Sequence, residues 1–187
     1  MTDCGYLEMF IGPMWSGKTS ELLKIHKRYT FCEAPIISIN YIADTRYGEN
    51  IISSHDQIKI PCKSVKKLSD FSDIQYGCST PEFKTAMIIL INEAQFFDDI
   101  VGWVKCAVER HHKKIYLCGL DGDYKREKFG DLLDLIPFCD KITKLQSICG
   151  VCKKKDAIFT KRIVADETRE IIGCDNYLPV CRMCYNV

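Results

Sequence analysis

The spacing of apolar residues changes character several times along the chain. Tyr6 to Ile11 reads as a short strand that ends at Gly12. Between Lys18 and Phe31 the apolar positions are Leu22, Leu23, Ile25 and Tyr29, which line one face of a helix. Pro35 precedes a β-branched strand over Ile36–Ile42, and the polar, turn-rich stretch from Ala43 to about Pro61 reads as a loop. Ala86–Ile91 is apolar at every position, which suits a central parallel strand covered by helices on both sides. Asp98–His112 reads as a helix with Asp98 or Asp99 as its N-cap. Ile115–Cys118 reads as a further buried strand, and Leu132–Ile136 as a short helix stopped by Pro137. Strands alternating with helices predict a parallel α/β sheet joined by right-handed crossovers.

Composition narrows this picture. The 187 residues amount to about one and a quarter typical domains, and the natural boundary lies near Leu145. The expected organisation is an α/β domain over 1–145 and a small appendage over 146–187. With 47% apolar residues and a formal charge of +1, the chain is a packed protein, and its near-neutrality argues against a nucleic-acid partner. Its longest apolar run, residues 86–91, is far below the roughly 18–20 residues of a membrane helix, and the first residues lack a secretory pattern. A soluble, cytoplasmic protein with no membrane partner is expected. Twelve cysteines in such a chain do not suggest a disulfide framework. Cys32, Cys62, Cys78, Cys106, Cys118 and Cys139 are scattered singly and read as small buried hydrophobes.

Two constellations carry chemistry. Gly12-Pro13-Met14-Trp15-Ser16-Gly17-Lys18-Thr19 fits G-x-x-x-x-G-K-[ST] between a strand and a helix, the context in which backbone amides and a helix N-terminus cradle phosphates. Lys18 is placed to reach the β and γ oxygens, and the Thr19 hydroxyl to ligate Mg²⁺. A nucleoside triphosphate is therefore the expected ligand. The acidic partner of such a loop sits at the end of a buried strand, and here Ala86–Ile91 runs into Asn92-Glu93. Glu93 is the catalytic candidate. Asn92 stands where a magnesium-supporting aspartate is expected, and its neutral carbonyl oxygen can hold a metal-bound water only weakly.

The second constellation is Cys149-Gly-Val-Cys152 with Cys181-Arg-Met-Cys184, two C-x-x-C knuckles separated by 28 residues. Four thiolates at this spacing form a closed, structural zinc site of zinc-ribbon type. Lys153, Lys154, Lys155 and Arg182 flank the knuckles and offset the charge of the thiolates. At this level two rival readings stay open: an ATPase whose zinc ribbon grips nucleic acid, and a homologue made catalytically weak by Asn92.

Five ordered blocks span nearly the whole length: residues 12–19, Asp44-Thr-Arg46-Tyr47, Glu93-Ala-Gln-Phe96-Phe97, Leu120-Asp-Gly-Asp-Tyr124-Lys-Arg126 with Phe129, and Cys149 through Thr160-Lys-Arg162 and Tyr177 to Tyr185. In these the chain resembles the type II thymidine kinases, and most closely their compact poxviral forms. The resemblance implies a P-loop α/β domain over 1–145 and a zinc-ribbon or lasso domain over 146–187. It also implies ATP-dependent phosphorylation of the thymidine 5′-hydroxyl in pyrimidine salvage, with Mg²⁺ and structural zinc. In that family pattern Glu93 matches the general base, and Asp44 and Arg46 match residues near the reacting oxygens. Met14, Phe96, Leu120, Tyr124, Phe129 and Tyr177 match positions that enclose the nucleoside. Arg169, Glu170, Ile171, Ile172 and Gly173 match a loop that closes over the base through backbone groups. A homotetramer and feedback by thymidine triphosphate are implied in the same way. Trp15, Tyr124 and Ala94 depart from the commoner family residues, and Asn92 is the departure with chemical consequence.

Overall fold

The computed structural model describes residues 4–45, 48–54, 56–164 and 176–187. The chain begins with β1 (Tyr6–Ile11) and α1 (Lys18–Phe31), followed by β2 (Ile36–Tyr41). An antiparallel hairpin of β3 (Ile51–Ser53) and β4 (Lys59–Pro61) comes next. Then follow β5 (Lys63–Val65), the short helices α2 (Leu68–Phe71) and α3 (Pro81–Thr85), β6 (Ile88–Ile91), α4 (Ile100–Glu109) and β7 (Lys114–Gly119). With β8 (Lys141–Lys144) they build a six-stranded sheet of order β5-β2-β6-β7-β1-β8, and every pair in it is parallel.

Side-chain alternation along these strands explains the apolar runs. Leu7, Met9 and Ile11 of β1, Ile89 and Ile91 of β6, and Ile115 and Leu117 of β7 face one layer, where Trp103, Val104 and Ala107 of α4 cover them. Phe10, Ile88, Leu90, Tyr116 and Cys118 face the other, against Leu22, Leu23 and Ile25 of α1. Strands covered on both sides are mostly apolar, with Glu8, Ser38 and Asn40 as buried exceptions, and each buried aliphatic side chain contributes about 1.5–3 kcal/mol.

Past β8 the chain forms two small antiparallel pairs, β9 (Ser147–Ile148) with β10 (Asp156–Ala157) and β11 (Phe159–Arg162) with β12 (Tyr177–Val180), then α5 (Arg182–Tyr185). Their core is Cys149, Ala157, Val180 and Cys181.

Several expectations need correction. The polar stretch 43–61 contains the β3–β4 hairpin, in which Ile52 pairs with Ile60 and both are buried against the α1 face of the sheet. β6 starts at Ile88, because the Ala86 N–H donates to Glu82 O and closes α3. Pro137 does not stop the short helix, which is a 3₁₀ run over Leu132–Phe138 with Pro137 inside it. Of the six scattered cysteines only Cys106 and Cys118 are buried; Cys32 and Cys78 are exposed, and Cys62 and Cys139 are half-buried. The helix expected over 98–112 is shorter at both ends, and Asp99 does not cap it with its side chain. That carboxylate instead accepts from the Leu68 and Ser69 N–H groups at 3.1 and 2.9 Å, satisfying the first turn of α2. Asp99→Ala is therefore expected to cost about 1–2 kcal/mol, measured as a lower urea midpoint with an unchanged slope.

Candidate active site

All six sheet strands end on one edge, so the loops after β1, β2, β6 and β7 share that edge. The first is the glycine loop. Gly12 (φ 147°) lets the backbone pass against the Leu145 carbonyl, where any Cβ would collide, and Gly17 (φ 82°) makes the left-handed turn into α1. No side chain caps α1, so the N–H groups of its first turn face the loop without a side-chain acceptor. The Ser16 hydroxyl donates to Pro13 O at 2.8 Å. Lys18 Nζ donates to the same carbonyl and lies 3.4 Å from Ser16 Oγ, so its ammonium sits over the crest of the loop. Converging N–H groups, the positive helix end and this ammonium suit a polyphosphate.

The second wall is the segment after β6. Asn92 is buried, and its Oδ1 accepts from Thr19 Oγ1 at 3.3 Å and from Cys118 Sγ at 3.1 Å. Its Nδ2 donates to Asn40 Oδ1 at 2.9 Å, and Asn40 Nδ2 donates to Asp44 Oδ2 at 3.1 Å. Glu93 has φ 51° and ψ 42°, a left-handed conformation uncommon for a residue with a Cβ, and it begins the 3₁₀ turn Ala94–Phe96. Its Oε2 accepts from Gln95 Nε2 at 2.7 Å, while Gln95 Oε1 accepts from the Leu120 N–H at 3.0 Å. Gln95 is buried, so this amide fixes the Glu93 carboxylate relative to the end of β7.

Aromatic rings form the third wall. Phe96 stacks on Tyr41 with centroids 5.0 Å apart and meets Phe129 edge-on at 5.3 Å. Asp123 Oδ1 accepts from the Lys125 and Glu127 N–H groups, both at 2.9 Å, and so shapes the loop bearing Tyr124. Arg162 lies over the Tyr124 ring at 3.8 Å and donates from Nη2 to the Tyr177 hydroxyl at 2.7 Å. The Met14 N–H donates to Thr160 Oγ1 at 3.1 Å, and the Tyr185 hydroxyl donates to Tyr124 O at 2.7 Å. Strand β11 is thereby joined directly to the phosphate loop.

Of the residues expected at the site, the structure gathers Gly12–Thr19, Asp44, Asn92 and Glu93 around this edge, with Phe96, Leu120 and Phe129 linked to them through Gln95 and ring contacts. Tyr124 and Tyr177 come together through Arg162. Arg46 and the segment Arg169, Glu170, Ile171, Ile172 and Gly173 lie outside the described residues. Asn40, Gln95, Thr160 and Arg162 were not anticipated as site residues. Asn40 carried a signal, a polar residue among the isoleucines of β2 and on the same side as Ser38.

The Sγ atoms of Cys149, Cys152, Cys181 and Cys184 lie within 4.8 Å of one another, with Cys152 and Cys181 at 4.0 Å. A tetrahedral Zn²⁺ with bonds of about 2.3 Å needs sulfurs about 3.8 Å apart, so the donor set fits. Burial opposes ionisation of Cys149, but hydrogen bonds from the Cys152, Cys181 and Val151 backbone outweigh it and hold the thiol down at about 6. Cys184 is pushed up to about 12, first by its hydrogen bond to Cys181 and then by burial. Cys152 is also held below the ordinary thiol range, chiefly by a hydrogen bond from the Lys154 backbone.

A parallel sheet, a glycine loop at the end of its β1 strand and a carboxylate after β6, one strand removed from β1, define a P-loop nucleotide-binding protein, here with a four-cysteine unit attached. The family model described as thymidine kinase matches residues 5–185, and the chain belongs to that family. It is 39% identical over 184 residues to a thymidine kinase of Sheeppox virus (strain KS-1), covering 98% of either chain. It is likewise 39% identical over 183 residues to a thymidine kinase of Oryza sativa subsp. japonica, covering 97% of this chain and 66% of that protein. A third relative, thymidine kinase 1 of Dictyostelium discoideum, is 35% identical over 187 residues, covering 97% of this chain and 78% of its own length. Among the described residues no helix is long and apolar enough to cross a membrane.

The quartet's geometry sets a direct expectation: elemental analysis gives about one zinc per chain, and Cys181→Ser loses the metal together with the ordered β11–β12 pair. Full zinc content in that variant would show that the metal sits elsewhere.

Proposed function

We propose that this protein transfers the γ-phosphoryl group of ATP to the 5′-hydroxyl of thymidine, as a step of pyrimidine deoxynucleoside salvage. The observation that carries this reading is the meeting of the Gly12–Thr19 loop and Glu93 at one sheet edge, in a chain of the thymidine kinase family. In this scheme the loop amides and Lys18 hold the β and γ phosphates. Thr19 would hold Mg²⁺ with waters and the triphosphate, and Asn92 would act behind it, its carbonyl oxygen accepting from the Thr19 hydroxyl. When bound, that ion neutralises charge on the phosphate oxygens. Glu93 accepts the 5′-hydroxyl proton as the bond to phosphorus forms, and Gln95 keeps its carboxylate aimed. Because an alcohol is a weak acid, positioning supplies most of the acceleration.

Met14, Phe96, Leu120, Tyr124, Phe129 and Tyr177 enclose the nucleoside in this proposal. Arg46 and residues 169–173 enter it through the family resemblance, as a charge clamp and as backbone partners of the base. Residues 146–187 act as a zinc-held unit that presents Thr160, Arg162 and Tyr177 to the site, while residues 1–145 carry the phosphates. Free thiols, with no disulfide among the described residues, accord with a reducing cytoplasm. The homotetramer and feedback by thymidine triphosphate belong to the same proposal, testable by sedimentation with and without that nucleotide.

The deciding experiment is steady-state turnover with ATP and Mg²⁺. Thymidine should lead deoxyuridine modestly, since one methyl in an apolar pocket is worth about 1–3 kcal/mol, and deoxycytidine should be rejected more sharply. Equal kcat/KM for thymidine and deoxycytidine would remove this pocket, and turnover stimulated by DNA rather than thymidine would favour the nucleic-acid reading. Glu93→Gln is expected to lower kcat by about 10²–10⁴ while leaving ATP binding in place, and Gln95→Leu by about tenfold. A loss below about threefold in Glu93→Gln would assign the proton to another group.

A further inference from the structure

The side chains of Asp44, Asn40, Asn92 and Thr19 form one unbroken chain of hydrogen bonds, and its polarity can be worked out from one end. An ionised Asp44 carboxylate only accepts. Asn40 must therefore turn its Nδ2 toward Asp44, as seen at 3.1 Å, which leaves its Oδ1 facing Asn92. Asn92 must then donate its own Nδ2, at 2.9 Å, so its Oδ1 faces Thr19 and Cys118. Both of those groups must in turn donate. The Thr19 hydrogen is committed inward, and the lone pairs of its oxygen point to the phosphate side.

Asn40 and Asn92 are 1% and 3% exposed, so water cannot substitute for either amide. An aspartate at 92 would require a donor from Asn40, and the flipped Asn40 would then set its oxygen against the Asp44 carboxylate. The asparagine at 92 and the asparagine at 40 are thus matched to each other and to Asp44.

We propose that Asn40 is a positioning residue. Together with Asn92 it forms a directional amide relay that fixes Asp44, on the loop after β2, against Thr19 at the head of α1. The relay spans the site from one wall to the other, and neither amide has to touch a substrate to govern where Asp44 lies. This inference rests on the proposed reading in which Asp44 serves phosphoryl transfer.

The test is a double-mutant cycle read in both kcat and melting temperature. Asn40→Asp keeps the side-chain volume and the acceptor toward Asn92 but replaces the donor toward Asp44 with a carboxylate oxygen. The expected result is a kcat about 10–100-fold lower, a thymidine KM within about threefold, and a melting temperature roughly 2–6 °C lower. In an Asp44→Ala background the same substitution should cost almost nothing in kcat, while the melting temperature falls in both backgrounds because a carboxylate is buried at position 40. Losses in kcat that multiply across the two backgrounds, or an Asn40→Asp enzyme of full turnover beside an impaired Asp44→Ala enzyme, would overturn the relay. An Asp44→Ala enzyme with unchanged kcat would instead overturn the reading of Asp44 on which the relay stands. If Asn40→Asp does not fold, Asn40→Ser, which keeps a hydroxyl too short to reach both partners, is measured in the same two backgrounds and judged by the same criteria.

Discussion

Every strand of the main sheet runs the same way, and both faces of that sheet are covered by helices. Under those conditions the backbone can leave the sheet only along its two edges of strand ends, and at one of them the loops after β1, β2, β6 and β7 must crowd together. The phosphate loop, Asp44, Glu93 and the Leu120–Phe129 loop owe their proximity to this and to little else. Helix α1 adds its dipole because it follows β1 directly, with Gly17 supplying the turn.

Beside the Lys144–Asp121 ion pair at 2.7 Å, polar side chains at that edge are held by buried amides. Asn40, Asn92 and Gln95 are each nearly inaccessible, and each uses both its oxygen and its nitrogen. A neutral amide suits such a place, since it orients its neighbours without the desolvation cost of a buried charge. It also has a direction: one wrong neighbour reverses a chain of donors and acceptors.

The amino-acid sequence told much about the frame and less about this wiring. β1 and α1 were legible to the residue, because a period change and a glycine motif mark both boundaries. The cysteine quartet was legible because metal geometry imposes short spacings on the chain. The β3–β4 hairpin was hidden because its buried residues, Ile52 and Ile60, sit alone among polar ones and gain meaning only when paired. Asp99 marked a helix start, as its residue type suggests, but its carboxylate serves a different helix 30 residues away in sequence. Asn40 and Gln95 could not be assigned, since an amide's role lies in partners that the fold brings from distant strands. Thr160 stood in a recognisable block, yet its tie to the Met14 N–H depends on how the cysteine unit lies against the sheet domain.

Glu93 takes up a backbone conformation that a glycine would occupy with greater ease. Holding a residue with a Cβ there costs on the order of 1 kcal/mol, which the surrounding contacts must offset. With Glu93 as the base proposed above, folding and chemistry pull in opposite directions at this one position. In the proposed reaction, a chain drifting only toward greater stability would exchange the carboxylate for glycine and lose the proposed base, whereas a chain selected for turnover keeps the strain. Position 93 is thus where a stability–activity trade-off is written into the backbone itself.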